Sequence, residues 1–239
     1  MEQVAVVTGS AKGLGRAIAL ALADEGFTVV VHYLSSKQEA EKVLVEVQRK
    51  SPNSILVRAD LKIEEDVKKM FAEVIKKLGR VDLLVNNVGN FLYKKFAETT
   101  SDEFKDLVES NLYATFFASR QALVTMRKQR SGNIINIGTV GAGRITITER
   151  STPYFLAKTG VYTITKIMAW EEAKAGIRVN MISPASLETD IFKATDFPMG
   201  RSAKYEDVIS ALKFLVSAEA QYVNGANIEV AGAFIPGMS

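Results

Sequence analysis

The sequence has no cysteine, one histidine and five prolines among 239 residues. Without cysteine there is no disulfide framework, thiolate nucleophile or cysteine-ligated metal. With histidine only at position 32, a multi-histidine metal centre is excluded too. A Ser-His-Asp hydrolase would have to be built on His32, near the end of a predicted strand. Excess charge is also scarce. The 30 basic and 27 acidic side chains are interspersed, leave a net +3, and form no nucleic-acid arm or polybasic membrane patch. No apolar run approaches the length that crosses a bilayer, and residues 1–3 enter a strand without a leader pattern. A soluble, cytoplasmic protein without nucleic-acid or membrane partners is expected.

What is present is apolar and regularly spaced. The chain is 47% hydrophobic, enough for one domain (1–239) with a large core. Buried-strand runs are predicted at 4–7, 27–33, 54–59, 81–86, 133–138, 177–182 and 226–230. Helical patterns fall at 16–25, 37–50, 64–78, 102–129, 152–174 and 205–217, with Thr100 or Ser101 as an N-cap of the fourth. Strands alternating with helices imply a parallel sheet, because parallel strands need helical crossovers. The fold class is therefore α/β: one doubly wound domain of about seven parallel strands with helices on both faces. Ligands of such sheets bind outside the carboxyl ends of the strands.

The turn after the first strand reads Thr8-Gly9-Ser10-Ala11-Lys12-Gly13-Leu14-Gly15. Glycines there let the backbone turn tightly and approach a pyrophosphate at a helix N-terminus. Geometry alone also explains glycine in such a turn, but strand, turn and helix together favour a dinucleotide cradle. A NAD site of this kind carries an acid about 20 residues on, to hold the ribose 2′-hydroxyl. Here the second strand ends Val31-His32-Tyr33-Leu34-Ser35-Ser36, with no acid. Lys12, Ser35 and Ser36 suit a 2′-phosphate instead, so NADP(H) is preferred, with NAD(H) the alternative. His32 fits a buried strand end better than the phosphate site. Asp60 fits equally an adenine contact or a helix cap, and Asn86-Asn87-Val88-Gly89 equally a tight turn or a ligand-facing one. Tyr154 and Lys158, four apart on a predicted helix, share one face and can serve one small molecule.

Taken in order, these segments resemble the short-chain dehydrogenase/reductase family along the whole chain. Residues 8–15 match its TGxxxGxG, Asn86-Asn87-Val88-Gly89 its NNAG with Val for Ala, and Tyr154 with Lys158 its YxxxK. Asn111 in Ser110-Asn111-Leu112 matches its helix asparagine, Ile135-Asn136-Ile137-Gly138-Thr139 the strand ending in its catalytic serine, and residues 177–180 and 184–189 the segment over the nicotinamide. The resemblance implies a Rossmann-type fold and catalytic roles for Asn111, Thr139, Tyr154 and Lys158. Tyr154 would exchange a proton with the substrate oxygen, and Lys158 would lower the tyrosine's pKa and hold the nicotinamide ribose. Thr139 would bond the substrate oxygen, and Asn111 would hold a relay water. Cofactor contacts are implied at Gly9, Ser10, Lys12, Gly13, Leu14, Gly15, Tyr33, Ser35, Asp60, Leu61, Asn87, Val88, Gly89, Tyr154, Lys158, Pro184, Leu187 and Thr189. Three departures stand out: Thr139 for Ser, Pro184-Ala185 for Pro-Gly, and an extended 139–154 stretch carrying Arg144, Glu149 and Arg150.

Within the family the chain is similar to bacterial 3-oxoacyl-carrier-protein reductases. That implies NADP-dependent reduction of a 3-oxoacyl thioester. A sugar, polyol or xenobiotic alcohol dehydrogenase is the runner-up, and a non-enzymatic dinucleotide sensor the third reading. The substrate loop, 188–201, is short, and Phe192, Phe197 and Met199 either line an apolar pocket or pack the loop. Arg127, Lys128 and Arg130 suit an acidic carrier protein less well than a solvated helix end. A homotetramer is implied by resemblance, with the 102–129 and 152–174 helices at one interface.

Overall fold

Alternate residues of the first strand, β1 (Val4–Val7), serve opposite layers. Val4 and Val6 join one apolar cluster; Ala5 and Val7 join the other. That is the signature of a strand covered on both faces. It is repeated in β2 (Thr28–Tyr33), β4 (Leu83–Asn86), β5 (Gly132–Ile137) and β6 (Ile177–Pro184), which are almost entirely buried. β3 (Ile55–Arg58) and β7 (Asn227–Val230) are more exposed and form the edges of the sheet. The computed structural model describes residues 2–144, 150–187 and 193–235.

All neighbouring strands pair in parallel, in the order β3-β2-β1-β4-β5-β6-β7. The direction of strand addition reverses between β1 and β4, which places the switch-point crevice at the carboxyl ends of those two strands. One layer contains α1 (Gly13–Asp24), α2 (Lys37–Gln48) and α7 (Tyr205–Val216). The other contains α3 (Glu64–Leu78), α5 (Ala114–Gln129) and α6 (Thr152–Glu172). Each buried Leu, Ile or Val contributes about 1.5–3 kcal/mol, so the two layers rather than any surface pair carry the fold.

Helix ends follow their local chemistry. α4 (Ser101–Val108) starts in a capping box, with the Thr100 hydroxyl accepting from the Glu103 N–H and the Glu103 carboxylate from the Thr100 N–H. α3 stops at Gly79, in the left-handed region at φ 77°. Two expectations shift. The first helix begins at Gly13 rather than at 16, because the glycine turn winds directly into it after the extended Lys12. The 102–129 helix is α4 and α5 joined by one π-helical turn, Glu109–Tyr113. α5 and α6 also leave apolar side chains outside: Phe116, Val124, Leu156, Ile167 and Trp170, the last 86% exposed. Among the described residues, no helix is long and apolar enough to cross a membrane.

Candidate active site

The turn from β1 to α1 is fixed from several directions. Thr8 Oγ1 accepts from the N–H groups of Asn87 (2.8 Å) and Val88 (3.1 Å), tying β1 to the segment after β4. Asn87 Nδ2 donates to the carbonyls of Thr8 (3.0 Å) and Gly9 (3.2 Å). Gly9 and Gly13 hold positive φ, and a Cβ on Gly15 would run into the Gly9 carbonyl. The turn is thus packed too closely for side chains at Gly9 and Gly15. The first helical N–H groups, Gly13 to Gly15, precede the first intrahelical bond, from Arg16 N–H to Lys12 O. This cradle fits a dinucleotide phosphate.

Not every residue of the turn offers a side chain to a ligand. Ser10 is fully buried, its hydroxyl engaged with Val7 O and with the His32 N–H, so it braces the turn. His32, 2% exposed, lies inside the structure rather than in a phosphate site. Its Nδ1 accepts from the Gly9 N–H (2.9 Å) and its Nε2 donates to Ala59 O (3.1 Å). Desolvation pushes its pKa down to about 4, so the ring is neutral. Leu61 is buried in the core, leaving only its backbone for a ligand. Asp60 accepts from the Lys62 N–H (2.9 Å), bracing the turn two residues before α3 rather than capping the helix itself.

At the end of β2, Ser35 is exposed and Tyr33 half-buried. Two charged residues stand here that the sequence reading missed. Arg58, paired in register with Tyr33, donates from Nε to Leu34 O at 3.0 Å and leaves its guanidinium exposed. Glu39, in the first turn of α2, reaches Lys12 at 3.6 Å. Strand register could have indicated Arg58; nothing in the sequence pattern singles out Glu39.

The residues matched to catalysis converge at the carboxyl ends of β4 and β5. Lys158 is 4% exposed and donates to Ile137 O at 2.8 Å. Its Nζ lies 5.7 Å from the centre of the Tyr154 ring. Desolvation lowers the ammonium to about 8 and raises the phenol to about 12, with a hydrogen bond from Thr139 pulling the phenol only part of the way back. The phenol thus lies above its ordinary value, against the lowering expected from Lys158, because burial disfavours the phenolate, and it stays protonated at neutral pH. Asn111 sits in the π turn, its Nδ2 donating to Asn90 O (2.9 Å) and Leu107 O (3.0 Å). Its Oδ1 is buried without a hydrogen-bond partner among the described residues. Gly89 makes room for it, since a Cβ there would strike that oxygen.

The segment after β4 closes one side of the site. The Phe91 ring meets Tyr154 edge-on at 4.9 Å between centroids, Arg150 lies over Tyr93 at 5.0 Å, and the Ser151 N–H donates to Lys94 O at 3.2 Å. Phe91 carried no sequence signal. On the other side, Pro184 ends β6 and Leu187 forms a bridge with Ala203. Thr189, Glu188, Phe192 and Glu149 lie outside the described residues. Phe197 packs on Phe234 at 5.0 Å, so it supports the loop, while Met199 is exposed. Arg127 pairs with the buried Glu172, and Arg130 donates to Lys174 O at 3.0 Å, as suits a helix end rather than a docking patch.

The sequence profile of a family described as enoyl-(acyl carrier protein) reductase matches residues 9–234. The chain belongs to the short-chain dehydrogenase/reductase family. It is a NAD(P)-dependent oxidoreductase of that family, and the 3-oxoacyl-[acyl-carrier-protein] reductase FabG of Staphylococcus aureus is 35% identical to it, over 97% of this chain and 98% of that protein. The putative oxidoreductase YtkK of Bacillus subtilis is 31% identical, over 95% and 94%. Among solved structures, this short-chain dehydrogenase/reductase superposes on acetoin dehydrogenase from Enterobacter cloacae with a TM-score of 0.89 and 28% identity, covering 98% of this chain and 96% of that one. Acetoin dehydrogenase YohF from Salmonella typhimurium gives 0.90 and 27%, covering 100% and 99%.

Proposed function

We propose that the chain reduces a carbonyl to an alcohol with NADPH, acting on a 3-oxoacyl thioester. The carrying observation is Tyr154: a phenol kept protonated by burial, hydrogen-bonded to Thr139 and four residues from the buried Lys158. The nicotinamide supplies the hydride when bound. Thr139 would hold the substrate oxygen, Tyr154 would pass its proton to it, and the resulting tyrosinate would recover a proton from the Lys158 side. Asn111, pinned in the π turn, would keep the water that returns protons from solvent. Gly9, Gly13, Leu14 and Gly15 would cradle the pyrophosphate, and Asn87, Val88 and Gly89 would flank the dinucleotide.

Preference for NADP(H) is supported by the missing acid after β2 and by the exposed Arg58 guanidinium beside Leu34. Glu39 opposes it by engaging Lys12. A homotetramer in the cytoplasm belongs to the same reading, with the exposed apolar faces of α5 and α6 covered by another subunit. The assay is NADPH oxidation with acetoacetyl-CoA, with NADH in parallel. Turnover with NADPH and little with NADH supports both parts of the reading; binding without turnover rejects the thioester.

One observation favours a second reading. The two acetoin dehydrogenase structures overlay 98% and 100% of the chain, and Phe91 against Tyr154 narrows the approach to the phenol. A small hydroxyketone or diketone is the substrate class to try next, and faster turnover of diacetyl than of acetoacetyl-CoA would select it.

A further inference from the structure

We infer that His32 is a positioning residue for the phosphate-binding turn: its neutral imidazole holds the Gly9 N–H and thereby sets the cofactor cradle. The inference depends on dinucleotide binding alone and is independent of which carbonyl is reduced.

The ring is a tie between three strand ends. Nδ1 accepts from Gly9, just after β1, which requires the ring proton on Nε2, and Nε2 donates it to Ala59 O, just after β3. The backbone of the same residue takes the next position of the turn: the Ser10 N–H donates to His32 O at 3.0 Å, and the His32 N–H to Ser10 Oγ at 2.9 Å. One residue of β2 therefore fixes both Gly9 and Ser10. Their placement propagates forward, because the Gly9 carbonyl is held by Asn87 Nδ2 and abuts the space a Gly15 side chain would need. The position of Gly9 thus sets the start of α1, whose N–H groups face the phosphate. The Gly9 N–H is spent on His32, so it acts as an anchor of the cradle and the ligand is met by the helix end. An aliphatic residue at 32 would bury the Gly9 N–H and the Ala59 carbonyl without partners.

Two amide side chains separate the two bonds of the ring. Asparagine places its oxygen near Nδ1 and can accept from Gly9; glutamine places its nitrogen near Nε2 and can donate to Ala59. NADPH dissociation constants, measured by titration of the cofactor's own fluorescence, are compared for wild type, His32→Asn, His32→Gln and His32→Leu, alongside unfolding midpoints. The expected result is H32N within about threefold of wild type, and H32Q and H32L weakened by about tenfold or more. H32N and H32Q, each losing one bond, would unfold at similar temperatures. Equal affinity in all four proteins overturns the assignment, as does affinity that merely follows lost stability. Should the variants fail to fold, the wild type decides by nitrogen-15 NMR. A proton on Nε2 and a protected Gly9 amide, with and without NADPH, support the tie; a Gly9 amide exchanging at solvent rates refutes it.

Discussion

At the residue scale the site is governed by desolvation. Tyr154 near 12 and Lys158 near 8 are pushed in opposite senses by the same burial. A phenol that stays protonated is a proton donor, so Tyr154→Phe should abolish turnover while leaving NADPH affinity within a few fold; full activity in that variant would remove Tyr154 from the mechanism. The reduction rate should be level below pH 8 and fall above it, as Lys158 loses the charge that stabilises the tyrosinate formed on donation. A kcat/KM profile that is flat to pH 10 contradicts this. The same shift has a consequence for stability. Between about 8 and 10.5 the unfolded chain binds the Lys158 proton and the folded one does not, so this group's contribution to stability rises with pH across that window. At pH 7 the buried ammonium is a cost, and Lys158→Met should raise unfolding stability by roughly 1–3 kcal/mol while removing activity. Denaturant titration measures the first, the NADPH assay the second. The Tyr154–Lys158 pair was singled out by its spacing only together with the glycine-rich turn and the ordered motifs around it. The direction of the phenol's shift was not legible, because spacing shows a neighbouring charge and says nothing about how much water both groups lose.

At the element scale the sequence carried most of the architecture. Apolar runs and glycine stops located all seven strands, usually to within a residue or two, because a strand covered on both faces leaves an uninterrupted apolar signature. What it did not carry depends on backbone detail without a periodic signal. The π turn at Glu109–Tyr113 lies inside a helical pattern and differs from it only by one residue in the span of its hydrogen bonds. Phe91 reaches Tyr154 from a segment with no regular structure, and Arg58 becomes a candidate only once β3 is registered on β2. Asn111 is aimed by the π turn and accommodated by Gly89, so the two form one device. Gly89→Ala would place a Cβ on the Asn111 side chain. It should lower kcat by at least about tenfold and stability by about 1–3 kcal/mol, the range for overpacking a buried site. Steady-state kinetics and unfolding of that variant, with unchanged values for both, would show that the turn tolerates the methyl.

For the whole molecule, the parallel sheet order brings the carboxyl ends of β1, β4, β5 and β6 to one edge, so the segments that follow those strands gather along it. That convergence follows from topology and was implied by the strand–helix alternation; the identity of the acceptor does not follow from it, since the fold supports many chemistries. The exposed apolar strips of α5 and α6 belong to this scale as well. Light scattering should give four times the 26.2 kDa chain mass, and a monomer mass would refute the assembly. Trp170 adds a consequence of its own. It is the chain's sole tryptophan, and it stands almost fully in water on α6. Its emission is therefore an optical gauge native to the protein: red-shifted while that helix face is wet, blue-shifted once another subunit covers it, and readable during dilution without any label.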